Sequence, residues 1–223
     1  MKRLSLFLPV LAMILLYSCK PKEEAKMETP PLPASDFNLV TRVFQVEDFD
    51  KWKAVYMAGD SLRAASGMST VTIGRGKDDP NSLLTAHKVT DVDKAKAFYA
   101  SPETMARIDS AGVKNATAHY IHVIRWDTSA VQGKDRAFVS IKVKDYDTWL
   151  KVFDAEGRDM RASNGLVDRG IGRGIDDPNM VYIAFYVTDA AKVTAFMQSP
   201  EFAKIKTDSG FEGEPNVFVY TAE

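Results

Sequence analysis

Cysteine is almost absent from this chain. The 223 residues hold one, Cys19, so no intrachain disulfide can form. Histidine is nearly as scarce, with His87, His119 and His122 only. A zinc site needs three or four ligands; with no second cysteine and no His-x-His pair, no metal is expected. A charge excess of either sign is missing too. Lys and Arg number 29 against 30 Asp and Glu, a formal net charge of −1. The basic surplus of a nucleic-acid binder is not there. Nor does the chain contain roughly 20 consecutive apolar residues, the length of a membrane-spanning helix.

What apolar run there is lies at the start. Lys2 and Arg3 precede 14 largely apolar residues, 4–17, interrupted by Pro9. Such a segment reads as the apolar region of a signal peptide. Its end, Leu16-Tyr17-Ser18-Cys19, resembles the lipobox of bacterial lipoproteins. That resemblance implies a signal peptide over 1–18, lipid on Cys19, and anchorage in the cell envelope. Lys20 follows the cysteine in place of the aspartate that retains lipoproteins in the inner membrane, so the outer membrane is the expected address. Residues 19–37 carry charges, Pro30, Pro31 and Pro33 and no apolar period, which suits a flexible tether.

The rest of the chain is said twice. Residues 63–112 reappear at 161–210 with an offset of 98, and 22 of the 50 aligned pairs are identical. Unrelated segments agree at about one position in 15. The sharpest match sets Gly74-Arg75-Gly76-Lys77-Asp78-Asp79-Pro80-Asn81 against Gly172-Arg173-Gly174-Ile175-Asp176-Asp177-Pro178-Asn179. Two repeats follow, 38–127 and 135–223, joined by a linker at 128–134.

Each repeat reads as βαββαβ. In the first, the β-branched run 40–46 is a strand, Asp48 or Asp50 caps a helix carrying Trp52, Val55 and Tyr56, and Gly67 closes it. Strands are predicted over 69–75 and 83–89, on either side of the Asp-Asp-Pro-Asn turn. A helix capped by Thr90 or Asp91 and another opened by Ser101-Pro102 come next. A strand over 118–126 ends the repeat. This order is the split βαβ of ferredoxin-like folds. Its sheet has helices on one face, so the other face and the edges must be covered. Two such sheets in one chain can close on each other as an α/β barrel. Alternation agrees. Val139, Ile141, Val143, Val181, Ile183, Phe185 and Val187 form one apolar face. Ser140, Lys142, Tyr182, Ala184 and Tyr186 form the other, a mixture that suits a cavity wall.

The pattern Asp-[Phe/Tyr]-Asp-x-Trp, Arg-Gly-x-Asp-Asp-Pro-Asn, then Ser-Pro-Glu before a terminal strand resembles the dimeric α/β-barrel superfamily, in particular proteins similar to antibiotic-biosynthesis monooxygenases. The resemblance covers both repeats and implies an α+β fold. It does not single out an activity, because the superfamily holds cofactor-independent monooxygenases, isomerases, haem-degrading enzymes and haem-dependent chlorite dismutases. No cofactor is called for by the residues, and the resemblance leaves haem open.

Candidate site residues come from two considerations. Arg75 and Arg173 could clamp a carboxylate or phosphate, but their retention in both repeats points to the turn they precede. The Asp-Asp pairs of that turn are read as turn chemistry, not calcium ligands. Differences between repeats point the other way, to function. All three histidines lie in the first, and at a constant offset His87, His119 and His122 face Phe185, Val217 and Tyr220. His119 and His122 point to opposite faces of a strand, so they cannot jointly ligate one metal without a bulge. Lys142, Tyr182 and Tyr186 complete the candidates. The function expected is the binding of a small apolar or aromatic ligand in a barrel cavity. The alternatives are a monooxygenase or isomerase using histidine or tyrosine as proton acceptor, and a structural module of the envelope.

Overall fold

The computed structural model describes residues 29–127, 129 and 133–223. Cys19, the expected signal peptide and most of the linker lie outside them. Among the described residues the first repeat comprises β1 (Ala34–Val46), α1 (Phe49–Ala58), α2 (Asp60–Ala65), β2 (Met68–Gly76), β3 (Ser82–Val89), α3 (Val92–Ala100), α4 (Pro102–Ser110) and β4 (Val113–Trp126). The second comprises β5 (Asp135–Lys142), α5 (Tyr146–Glu156), α6 (Arg158–Ser163), β6 (Leu166–Gly174), β7 (Met180–Val187), α7 (Ala190–Met197), α8 (Pro200–Asp208) and β8 (Asn216–Ala222). Each is the expected βαββαβ unit, with its first helix broken in two.

The helices start where the sequence places caps. Asp48, Asp91, Asp145 and Asp189 each accept a hydrogen bond from the backbone N–H three residues on. Ser101 and Ser199 do the same ahead of Pro102 and Pro200. Each such cap is worth about 1 kcal/mol. The strand ahead of α1 begins earlier than its β-branched core suggests. Ala34 pairs with Arg125, and Leu32 is buried in the second repeat's core. The described chain is therefore already docked inside the segment read as a tether.

The eight strands close into one barrel in the order β1-β3-β2-β8-β5-β7-β6-β4. Every neighbouring pair is antiparallel. The repeats are thus related by a pseudo-twofold running along the barrel axis, and the two ends of the barrel differ from each other. Helices cover the outside. The apolar face foreseen for the second repeat packs beneath them around Trp149, and Trp52 holds the equivalent place in the first.

The seams explain the duplicated motif. At one seam Gly74 and Gly76 pair with Ala222 and Tyr220; at the other Gly172 and Gly174 pair with Val123 and Ile121. A Cβ on Gly74 would stand 2.1 Å from the Tyr220 ring, and one on Gly172 would stand 2.3 Å from Ile121. Arg75 and Arg173 donate through Nε to the carbonyls of Pro80 and Pro178. Asp79 and Asp177 accept from the N–H of Asn81 and Asn179. The motif therefore ties a hairpin and lets two half-barrels approach. Gly74→Ala is expected to displace the Tyr220 ring and cost roughly 1–3 kcal/mol, measured as a lower urea midpoint.

The last strand departs from the expected correspondence between repeats. Thr41 pairs with His119, and its equivalent Phe138 pairs with Phe218. The last strand of the second repeat is therefore offset by 99, not 98. It gains one residue between the Val143–Phe211 bridge and the Ser140–Asn216 pair. The true counterparts of His119 and His122 are Phe218 and Thr221, not Val217 and Tyr220.

Candidate functional site

Among the described residues the largest apolar cavity is not inside the barrel. It lies between the second repeat's sheet and its helices and has a volume of about 220 Å³. Val139, Ile183, Phe185 and Val217 form the floor. Trp149 and Phe153 of α5, Val193 and Phe196 of α7, and Phe202 and Ile205 of α8 form the walls. The matching space in the first repeat is only about 60 Å³. Strand and helix identities account for the difference. Where the second repeat has Val139, Met197 and Val219, the first has Arg42, Tyr99 and Tyr120. Arg42 stacks 4.4 Å over the Tyr99 ring and fills the space.

Three charged groups close one end of the large cavity. Arg161 donates to both oxygens of Asp168, at 2.8 and 2.7 Å, and to the Phe153 carbonyl at 2.7 Å. Its side chain is 5% exposed and that of Asp168 1%. The Arg161 nitrogen that donates to Phe153, Nη1, also stands 3.4 Å from Glu156, whose side chain is 13% exposed. Burial, only partly opposed by Arg161, pushes the Glu156 carboxyl up to about 7. A carboxylic acid that exchanges its proton near neutral pH thus sits on an apolar wall. Glu156, Arg161 and Asp168 were not singled out by the sequence reading. Arg161 looked like one more repeated residue, matching Arg63. The available signal was the exchange of Thr70 for Asp168, a carboxylate placed in an otherwise apolar strand face.

The sequence candidates are scattered, and none of them lines this cavity. His87 is 1% exposed on the helix side of the first repeat. Its Nε2 lies 2.8 Å from the Tyr56 hydroxyl, which is 3.0 Å from Thr70. Burial, helped by Arg63 and Arg42, holds its pKa down at about 4. His119 and Tyr182 do meet in the barrel lumen, Nδ1 to hydroxyl at 3.3 Å. Burial lowers the His119 pKa and pushes the Tyr182 phenol up to about 12. Phe138 stacks on Tyr182 and helps divide the lumen into two ends. One is an open bowl of about 390 Å³ bordered by His119, Phe138, Ser140, Asn216 and Phe218. The other holds about 60 Å³ and is bordered by Arg136 and Arg169. His122 points outward, 3.1 Å from Asn38, as its parity with His119 requires. Lys142 pairs with Asp177 at the rim. Tyr186 lies at the arginine end of the lumen.

Solved structures share this architecture. An anthrone oxidase-like protein superposes with a TM-score of 0.61 at 14% identity, over 86% of this chain and 94% of its own. The fold is a tandem dimeric α/β barrel. A haem-binding protein of Thermus thermophilus matches this barrel with a TM-score of 0.52 at 15% identity, over 86% and 93%. A mutant chlorite dismutase of Candidatus Nitrospira defluvii in complex with cyanide matches it at 0.50 and 10%, over 85% and 91%. No family model and no curated protein matches the sequence. Identities this low carry the fold across and nothing of activity.

Haem does not fit the helix-side cavity. The apolar cavity is below the roughly 300 Å³ at which sites for drug-sized ligands begin, and no histidine, cysteine or tyrosine lines it. His87 has its Nε2 engaged and no cavity in front of it. The bowl at His119 sets Phe44, Phe138 and Phe218 beside Gln45, Ser82, Thr117 and Asn216. Among the described residues no group of three metal-ligating side chains converges.

Proposed function

We propose that this protein binds a small apolar or aromatic molecule between the sheet and helices of its second repeat, and that lipid on Cys19 holds it at the outer membrane of the cell envelope. The observation that carries the ligand reading is the cavity of about 220 Å³. Apolar cavities of about 150 Å³ stay dry and take up benzene, so this one suits a ligand of roughly one to two rings. The first repeat supports the reading by contrast. The same architecture there is filled by Arg42 and Tyr99, so an empty space is not a requirement of the fold.

Thermal melts with indole and substituted benzenes test this. A ligand present at about 100 times its Kd adds about 2.7 kcal/mol, which raises Tm by roughly 5–10 °C for a chain of this size. Val193→Trp, which fills the cavity from α7, is expected to abolish the shift while leaving the fold intact. A shift of the same size in that variant would place the ligand elsewhere. Native mass spectrometry of protein from its own host would give the mass of the natural occupant.

Glu156 supports a second reading, an enzyme that moves a proton on the bound ligand. Its carboxyl titrates near neutrality at the cavity's polar end, as a general acid or base should. It takes the place in this reading that was expected of a histidine or tyrosine. Exchange of a ligand C–H with deuterium from D₂O, lost in Glu156→Gln with binding retained, would separate this reading from simple binding.

A further inference from the structure

The narrow end of the barrel lumen carries two guanidinium groups without acidic partners among the described residues. Arg136 on β5 reaches Thr72 at 3.5 Å, hydrogen-bonds the Tyr220 side chain and lies 5.3 Å from the Tyr186 ring centre. Its Nε is buried and has no hydrogen-bond acceptor. Arg169, at the bulge of β6, lies 5.2 Å from the same Tyr186 ring and 4.9 Å from Trp126. It donates to a backbone carbonyl, that of Asp127, at 2.9 Å. The nearby carboxylates are engaged elsewhere. Asp168 pairs with Arg161, Asp127 with Arg158 and Asp135 with Lys77. Buried polar groups ordinarily find partners, and a charged donor without one is costly.

Behind the arginines the lumen is apolar, walled by Leu39, Leu84, Ala86 and Val123. The free volume there is about 60 Å³. The copy comparison makes the pair specific to one side. At the pseudo-symmetric positions Arg136 and Arg169 are replaced by Leu39 and Val71, so the fold itself does not demand them.

We infer that this end of the lumen is a second binding site, for a short-chain organic carboxylate. Guanidinium forks match a planar carboxylate in geometry as well as charge. Both guanidinium groups border the lumen, and the alkyl part of the ligand points into its apolar stretch. Inorganic phosphate meets the charge but has nothing to place against Leu84 and Val123. The site is separate from the helix-side cavity and does not depend on how that cavity is used.

Calorimetric titration of the folded protein with propionate tests the assignment, with inorganic phosphate and chloride compared at matched ionic strength. Propionate is expected to bind, with phosphate and chloride at least 10-fold weaker. Arg136→Met and Arg169→Met should each weaken propionate about 10- to 100-fold, the range for losing hydrogen bonds to a charged group. Should one variant fail to fold, Leu84→Trp fills the lumen from the opposite wall and should also abolish binding. Propionate heats no larger than those of chloride, phosphate binding as tight as propionate, or full binding in the arginine variants would overturn the proposal.

Discussion

Asp168→Ala is expected to destabilise the protein by about 3–5 kcal/mol, because it strands a buried guanidinium. Arg161 is held by both Asp168 oxygens beneath α5, with 5% and 1% of the two side chains exposed. Without Asp168, Arg161 keeps the Phe153 carbonyl and a long contact to Glu156, which is little for a charge removed from water. At roughly 2–4 °C per kcal/mol for a chain of this length, Tm should fall by about 10 °C. The loss belongs to the unpaired charge and not to the pair's own net worth. The double variant Arg161→Met/Asp168→Leu should therefore recover most of it. Urea denaturation of both variants checks this. A double variant as unstable as the single one would show that the pair organises the fold in a way packing cannot replace.

Glu156→Gln should stabilise the protein at high pH and leave it unchanged at low pH, the reverse of removing an ordinary paired carboxylate. Burial raises the folded-state pKa from 4.5 to about 7. Below the unfolded value both states hold the proton, and the residue costs nothing. Between 4.5 and 7 the unfolded chain releases its proton first, so stability falls as pH rises. Above 7 the full difference applies, about 2.5 units or roughly 3 kcal/mol. The groups facing it are Arg161, which lowers the value, and Asp168 and Glu201, which raise it. Denaturation of wild type and Glu156→Gln at about pH 4 and about pH 8.5, on either side of that window, gives the comparison. An equal effect at both values would mean that Glu156 is ionised throughout.

The fold was legible in the sequence because repetition fixes register. One copy's turn confirms the other's, and Asp caps, Ser-Pro helix starts and alternating strands each appear twice. The constant offset of 98 does not extend to the last strand. The one-residue gain between Phe211 and Asn216 shifts the last strand, and only the barrel hydrogen bonds reveal it. The site was less legible, since a cavity is a deficit of volume spread over several elements. Val139, Met197 and Val219 are unremarkable residues separately; they leave a space only when set against Arg42, Tyr99 and Tyr120. The histidines drew attention through rarity, yet His87 is sealed beneath α1 and His122 faces outward. The arginines that stand free of carboxylates, Arg136 and Arg169, lie where the copies differ, the category that the sequence reading favoured.

The pseudo-twofold within one chain has an evolutionary side. In a barrel assembled from two identical chains, every substitution arrives at two places at once, and a residue that opens one pocket opens its mirror image. A large pocket beside a filled one, or arginines across from Leu39 and Val71, is out of reach for such a pair. Fusion removes that constraint. One half can be kept as a rigid, tightly filled scaffold while the other accumulates changes that would be too costly if doubled, so that a protein with a single barrel has two separately adjustable halves.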